Sequence, residues 1–134
     1  MGKIVSRLKA TPKEITLYII LFLATGFAMN ALGKKLQIAW FANWWQVVTC
    51  YGVYLIPCAL FIRNLSFFQQ YLHGLFFLAL LEFPAYAIGS SVIAENNYID
   101  IVFSRANFTL FMVIFFAAYL PLANRFIRLI TTTK

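Results

Sequence analysis

Glu82 is the residue whose type and position most invite a chemical reading. It sits in Leu80-Leu81-Glu82-Phe83-Pro84, near the middle of a long apolar run. An acid at bilayer centre costs about 2.5–3.5 kcal/mol on insertion scales, so it protonates, finds a polar partner or faces water. No lysine or arginine occupies a matching depth in any apolar run, which leaves neutral partners. Counting along helices at about 1.5 Å per residue puts Thr25, Gln46, Thr49 and Cys50 near the same level. Helical spacing places Tyr71, Leu75, Leu78, Ala79, Glu82, Tyr86 and Gly89 on one face, and Asn43, Gln46, Cys50, Val53 and Pro57 on another. If those two faces meet, Glu82, Tyr86, Gln46, Thr49 and Thr25 form a candidate polar site inside the membrane. Pro84 adds to it, because a mid-helix proline frees the carbonyl four residues earlier, that of Leu80.

Other chemistry is disfavoured by what the chain contains. His73 is the single histidine, and Cys50 and Cys58 are the two cysteines. On one helix, eight residues apart, the thiols are separated by about 12 Å of rise and cannot pair. No zinc-ligand spacing, CxxC pair, phosphate loop or H-E-x-x-H occurs, so no metal or cofactor is expected. A lipid-active enzyme would have to draw on Glu95, Asp100 and Arg105, which a solvated loop explains equally well. The reading therefore leans away from an enzyme.

The elements that must position these residues are transmembrane helices. The chain has 134 residues, 63% hydrophobic and 11% charged, with a mean hydropathy of +0.81. Soluble domains carry about 45–50% apolar and about 25% charged residues. A small domain cannot hide that excess from water, so lipid must be its solvent. The net charge of +7 lies at the ends of apolar runs, where cations meet anionic headgroups. Nucleic acid is not expected as a partner, since no basic stripe carries interleaved aromatics.

Residues 1–13 form a basic amphipathic lead with Lys3, Arg7, Lys9 and Lys13. Thr11-Pro12-Lys13-Glu14 reads as a capping box with proline at the first helical turn. Four spans follow, at residues 15–32, 39–62, 68–93 and 108–127. The first is too long for a signal-peptide core and lacks a clear cleavage site, so it reads as a retained anchor. The second opens on Trp40, Phe41, Trp44 and Trp45, an interfacial aromatic cluster. Ser66 to Gln69 is a second capping box, and Asn107 can cap the last span. Residues 94–107 are a polar loop, in which Tyr98 to Phe103 can lie along the interface.

Lys3, Arg7, Lys9, Lys13, Arg63, Arg125, Arg128 and Lys134 fall on one side of such a bundle, against Lys34, Lys35 and Arg105 on the other. Positive-inside bias then places both termini in the cytoplasm. The expected fold is all-α: a single transmembrane domain over residues 1–134, up-down-up-down, in a plasma or inner membrane. The expected function is a non-enzymatic packing or accessory subunit of a membrane complex or homo-oligomer. The alternative is a small oligomeric transporter or channel with Glu82 as its proton, cation or cationic-solute site.

Overall fold

The computed structural model describes residues 1–88, 91–104 and 107–133, with the side chains of 82–88, 91, 100, 108 and 109 outside the description. It is 79% helical. The helices are α1 (Gly2–Leu8), α2 (Pro12–Lys35), α3 (Trp44–Ile62), α4 (Phe67–Ile88), α5 (Tyr98–Phe103), α6 (Phe108–Ala117) and α7 (Tyr119–Thr132). Three apolar segments among the described residues are long enough to cross a bilayer: Pro12–Lys35, Trp44–Ile62 and Leu110–Thr132. These are the helices of a membrane protein. On α4 the shorter stretch Phe67–Leu81 is also apolar.

Both capping boxes form. The Thr11 hydroxyl accepts the Glu14 amide at 3.2 Å while the Glu14 carboxylate accepts the Thr11 amide at 2.8 Å. The Ser66 amide donates to the Gln69 side chain at 3.2 Å, and the Gln69 amide donates back to the Ser66 hydroxyl at 3.3 Å. Each pairing satisfies amides that the first helical turn leaves without partners. Asn107 does precede α6, but its side chain turns back to donate to the Phe103 carbonyl at 3.0 Å instead of capping.

Three expected boundaries are corrected. Residues 39–41 do not start the second span: Ala39–Phe41 is a strand, β1, and α3 begins at Trp44. The third span does not run to residue 93. Its helix is described over Phe67–Ile88, and Ser91–Ile93 forms strand β2, antiparallel to β1 with Ala39 opposite Ile93 and Trp40 opposite Val92. The fold is therefore mostly helical, with one small ribbon added. The ribbon hugs the end of α2: the Asn30 side chain accepts the Phe41 amide at 2.7 Å, and a Cβ on Gly33 would collide with the Ala39 carbonyl oxygen. The last span extends past residue 127 to Thr132 and breaks at Ala118, three residues before Pro121. A proline disrupts the turn preceding it.

Within α3, Val48–Leu55 is π-helical, and it ends just before Pro57, which has no amide to donate to the Val53 carbonyl. The wider turns realign the buried face. Val47, Tyr51, Leu55 and Ala59 are all buried, at strict four-residue spacing, a pattern that would drift by about 40° per step on an α-helix. The face expected to point inward is displaced: Asn43 is exposed, and Val53 is 69% exposed.

The core sits where α2, α3 and α7 converge. Phe22 and Leu120 are fully buried, and the Phe22 and Tyr119 rings meet edge to face at 5.1 Å. Two glycines allow close approach. A Cβ on Gly26 would lie 2.7 Å from the root of the Tyr51 ring, and one on Gly74 would lie 2.9 Å from the Ala117 carbonyl oxygen. Gly26 thus seats α2 on the π-helical part of α3, and Gly74 seats α4 on α6.

Candidate functional site

Lys9, Arg63 and Arg128 gather at one end of the molecule. The Arg63 guanidinium donates to the Lys9 carbonyl and lies 3.7 Å from the Glu14 carboxylate. Arg128 donates to the Arg63 carbonyl at 2.8 Å. The ribbon lies at the other end of α2.

Near the arginine end lies a buried polar knot centred on Asn124 of α7, which is 5% exposed. Its amide nitrogen donates to the Ala59 carbonyl of α3 at 3.0 Å and to the Gln70 side-chain oxygen of α4 at 2.8 Å. Its amide oxygen accepts the Tyr18 hydroxyl of α2 at 2.6 Å. Gln70 is also buried, and its nitrogen donates to the Leu65 carbonyl at 2.8 Å. One carboxamide thus spends both donors and its acceptor on three other helices. Beside the knot is a polar cleft of about 320 Å³, lined by Glu14, Arg63, Arg128 and Thr131 among others.

Three further hydroxyls follow the same habit. Thr25 of α2 pairs with the Tyr119 hydroxyl of α7 and donates to the Leu21 carbonyl at 2.7 Å. Tyr54 donates to the Phe77 carbonyl at 2.7 Å, linking α3 to α4. Tyr71 donates to the Ile114 carbonyl at 3.0 Å, linking α4 to α6. Polar groups in apolar surroundings are costly unless bonded, and here the bonds run from helix to helix.

Toward the ribbon lies an apolar cavity of about 400 Å³. Its walls come from α2 (Met29, Leu32) and Leu36 just after it, α3 (Cys50, Tyr51) and α6 (Phe111, Met112, Phe115), and Trp40, Phe41 and Ile93 of the ribbon also line it.

The expected site residues are distributed as follows. Glu82 and Tyr86 fall on α4, within 82–88, whose side chains lie outside the description; Leu81 beside them lines the cavity. Gln46 is half-buried and accepts the Asn43 amide at 2.9 Å, serving the start of α3. Thr49 is exposed, and its hydroxyl donates to the Trp45 carbonyl one turn back at 2.7 Å. Thr25 is drawn to Tyr119. The described part of the expected α4 face, Tyr71, Leu75, Leu78 and Ala79, does pack on the core.

Sequence reasoning missed Asn124 and gave Gln70 no interior role. The available signal was an amide within the apolar stretch from Leu120 to Ile127, at a depth that Tyr18 can reach from the first span. His73 is exposed, with Nδ1 2.8 Å from the Gln69 carbonyl. Among the described residues, no three His, Cys, Asp or Glu side chains are grouped to hold a metal. Compared with protein-family profiles, curated proteins and solved structures, the chain shows no match.

Proposed function

We propose that the protein is a non-enzymatic membrane subunit of four crossings, with both termini in the cytoplasm. It packs against another membrane protein or its own copies in a plasma or inner membrane. The observation that carries this reading is where the interior polar groups go. Tyr18, Thr25, Tyr54, Gln70, Asn124 and Tyr119 bond helix to helix, which holds a rigid body together.

The crossings are α2, α3, α4 and the broken helix α6–α7. The 22 residues of α4 span about 33 Å at 1.5 Å per residue, enough for the hydrocarbon. The gathering of Lys9, Arg63 and Arg128 at one end supports a cytoplasmic placement of that end, next to anionic headgroups. Exposed Ile20, Phe76, Leu80 and Ile114 give a surface for lipid or a partner helix.

The test is gentle extraction and native sizing of the tagged chain, paired with proton and cation flux in vesicles, for wild type and Glu82→Gln. A stable complex larger than one chain, unchanged by the substitution, with no flux in either form, is expected. A lone chain with saturable flux that Glu82→Gln abolishes would instead establish transport.

A further inference from the structure

The apolar cavity at the ribbon end has no part in a packing role. Its volume of about 400 Å³ lies within the roughly 300–1,000 Å³ of sites that hold small ligands. Among the described side chains that line it there is no Asp, Glu, Lys or Arg, and most are apolar, which suits a hydrocarbon chain better than a charged solute. Leu32 of α2, Leu36 at its C-cap and Phe115 of α6 line the cavity and are exposed. It therefore opens sideways on the apolar surface, where the neighbouring molecules are lipid chains.

Gly33 and Leu36 line the cavity, and Lys34 and Lys35 lie between them in the chain. Lys34 and Lys35 follow Gly33 directly, are exposed, and make no ion pair among the described residues. We infer that the cavity holds one acyl chain of an anionic phospholipid, which enters between α2 and α6 and leaves its headgroup at Lys34 and Lys35. The ribbon is the stop at the end of this slot: Asn30 fixes Phe41, and the closeness of Gly33 to Ala39 keeps β1 against α2. The site stands whether or not the chain has protein partners.

Trp40 lines the cavity, whereas Trp44 and Trp45 are exposed, and these three are all the tryptophans in the chain. The double variant Trp44→Phe/Trp45→Phe thus leaves one reporter at the site. Purified in detergent, it is titrated with phosphatidylglycerol and, separately, phosphatidylcholine, both carrying dibrominated acyl chains. Saturable quenching at one phosphatidylglycerol per chain is expected. Affinity should be about tenfold weaker for phosphatidylcholine and for Lys34→Gln/Lys35→Gln. Filling the cavity with Cys50→Phe, or from the opposite wall with Met112→Phe, should remove the saturable phase. Quenching that rises linearly with the lipid-to-detergent ratio, and equally in the filled variants, would overturn the site. Equal affinity for both lipids would overturn the placement of the headgroup. If the filled variants fail to fold, lipid extraction from the unmodified protein after detergent exchange decides: about one retained phosphatidylglycerol per chain supports the site, and none refutes it.

Discussion

Asn124 carries more of the interior than any other polar side chain described. Replacing it with leucine strands the Tyr18 hydroxyl and the Gln70 amide oxygen in a dry core. Each unsatisfied group costs about 1–3 kcal/mol, so Asn124→Leu should lower the unfolding midpoint in detergent sharply. Tyr18→Phe removes only a donor and should cost about 0.6–1.7 kcal/mol, the range of interhelical hydrogen bonds in membranes. Made together, the two should cost much less than their sum, because both break one network. Additive costs would mean that the Tyr18–Asn124 bond contributes nothing. At this scale the sequence was a partial guide. Glu82 drew attention because an acid in an apolar run is conspicuous, whereas Asn124 is neutral, lies near a span end, and declares itself only when Tyr18, Ala59 and Gln70 are brought to it from 54 to 106 residues away.

Helices and turns were legible where their cause is local. The capping boxes at Thr11 and Ser66 were readable because each needs only four consecutive residues. The ribbon was not, because Ala39–Phe41 continues an apolar run and its partner strand begins about fifty residues later. The π-helical stretch also escaped, since ordinary helical counting assigned Asn43 and Val53 to the face that Val47 and Tyr51 occupy. Close packing at glycine gives this scale its test. Alanine at Gly74 gains about 1 kcal/mol of helix propensity. Its Cβ would nevertheless sit 2.9 Å from the Ala117 backbone oxygen, and overpacking of this kind costs about 1–3 kcal/mol. The clash is against backbone, which cannot rotate away, so Gly74→Ala should lower the thermal midpoint and Gly74→Leu should prevent folding. A higher midpoint for Gly74→Ala would show that α4 and α6 are not seated on this glycine. At Gly33, alanine should release β1 and expose Trp40, read as a red shift in its emission in the Trp44→Phe/Trp45→Phe background.

The membrane class of the whole molecule was plain from composition, because 63% hydrophobic residues in 134 leave no soluble alternative. The number of crossings and their direction are a different matter. The subunit role, the cytoplasmic placement of the arginine end and the leaflet in which the ribbon lies all depend on four crossings with both termini inside. Single cysteines placed at Lys3, Asn64, Asn96 and Thr133, in a Cys50→Ala/Cys58→Ala background, address this directly. Intact cells or right-side-out vesicles are treated with a membrane-impermeant maleimide, before and after permeabilisation. Labelling of position 96 alone in sealed membranes, and of positions 3, 64 and 133 only after permeabilisation, is the expected result. Labelling of position 133 but not position 3 in sealed membranes would mean an odd number of crossings and would contradict the account.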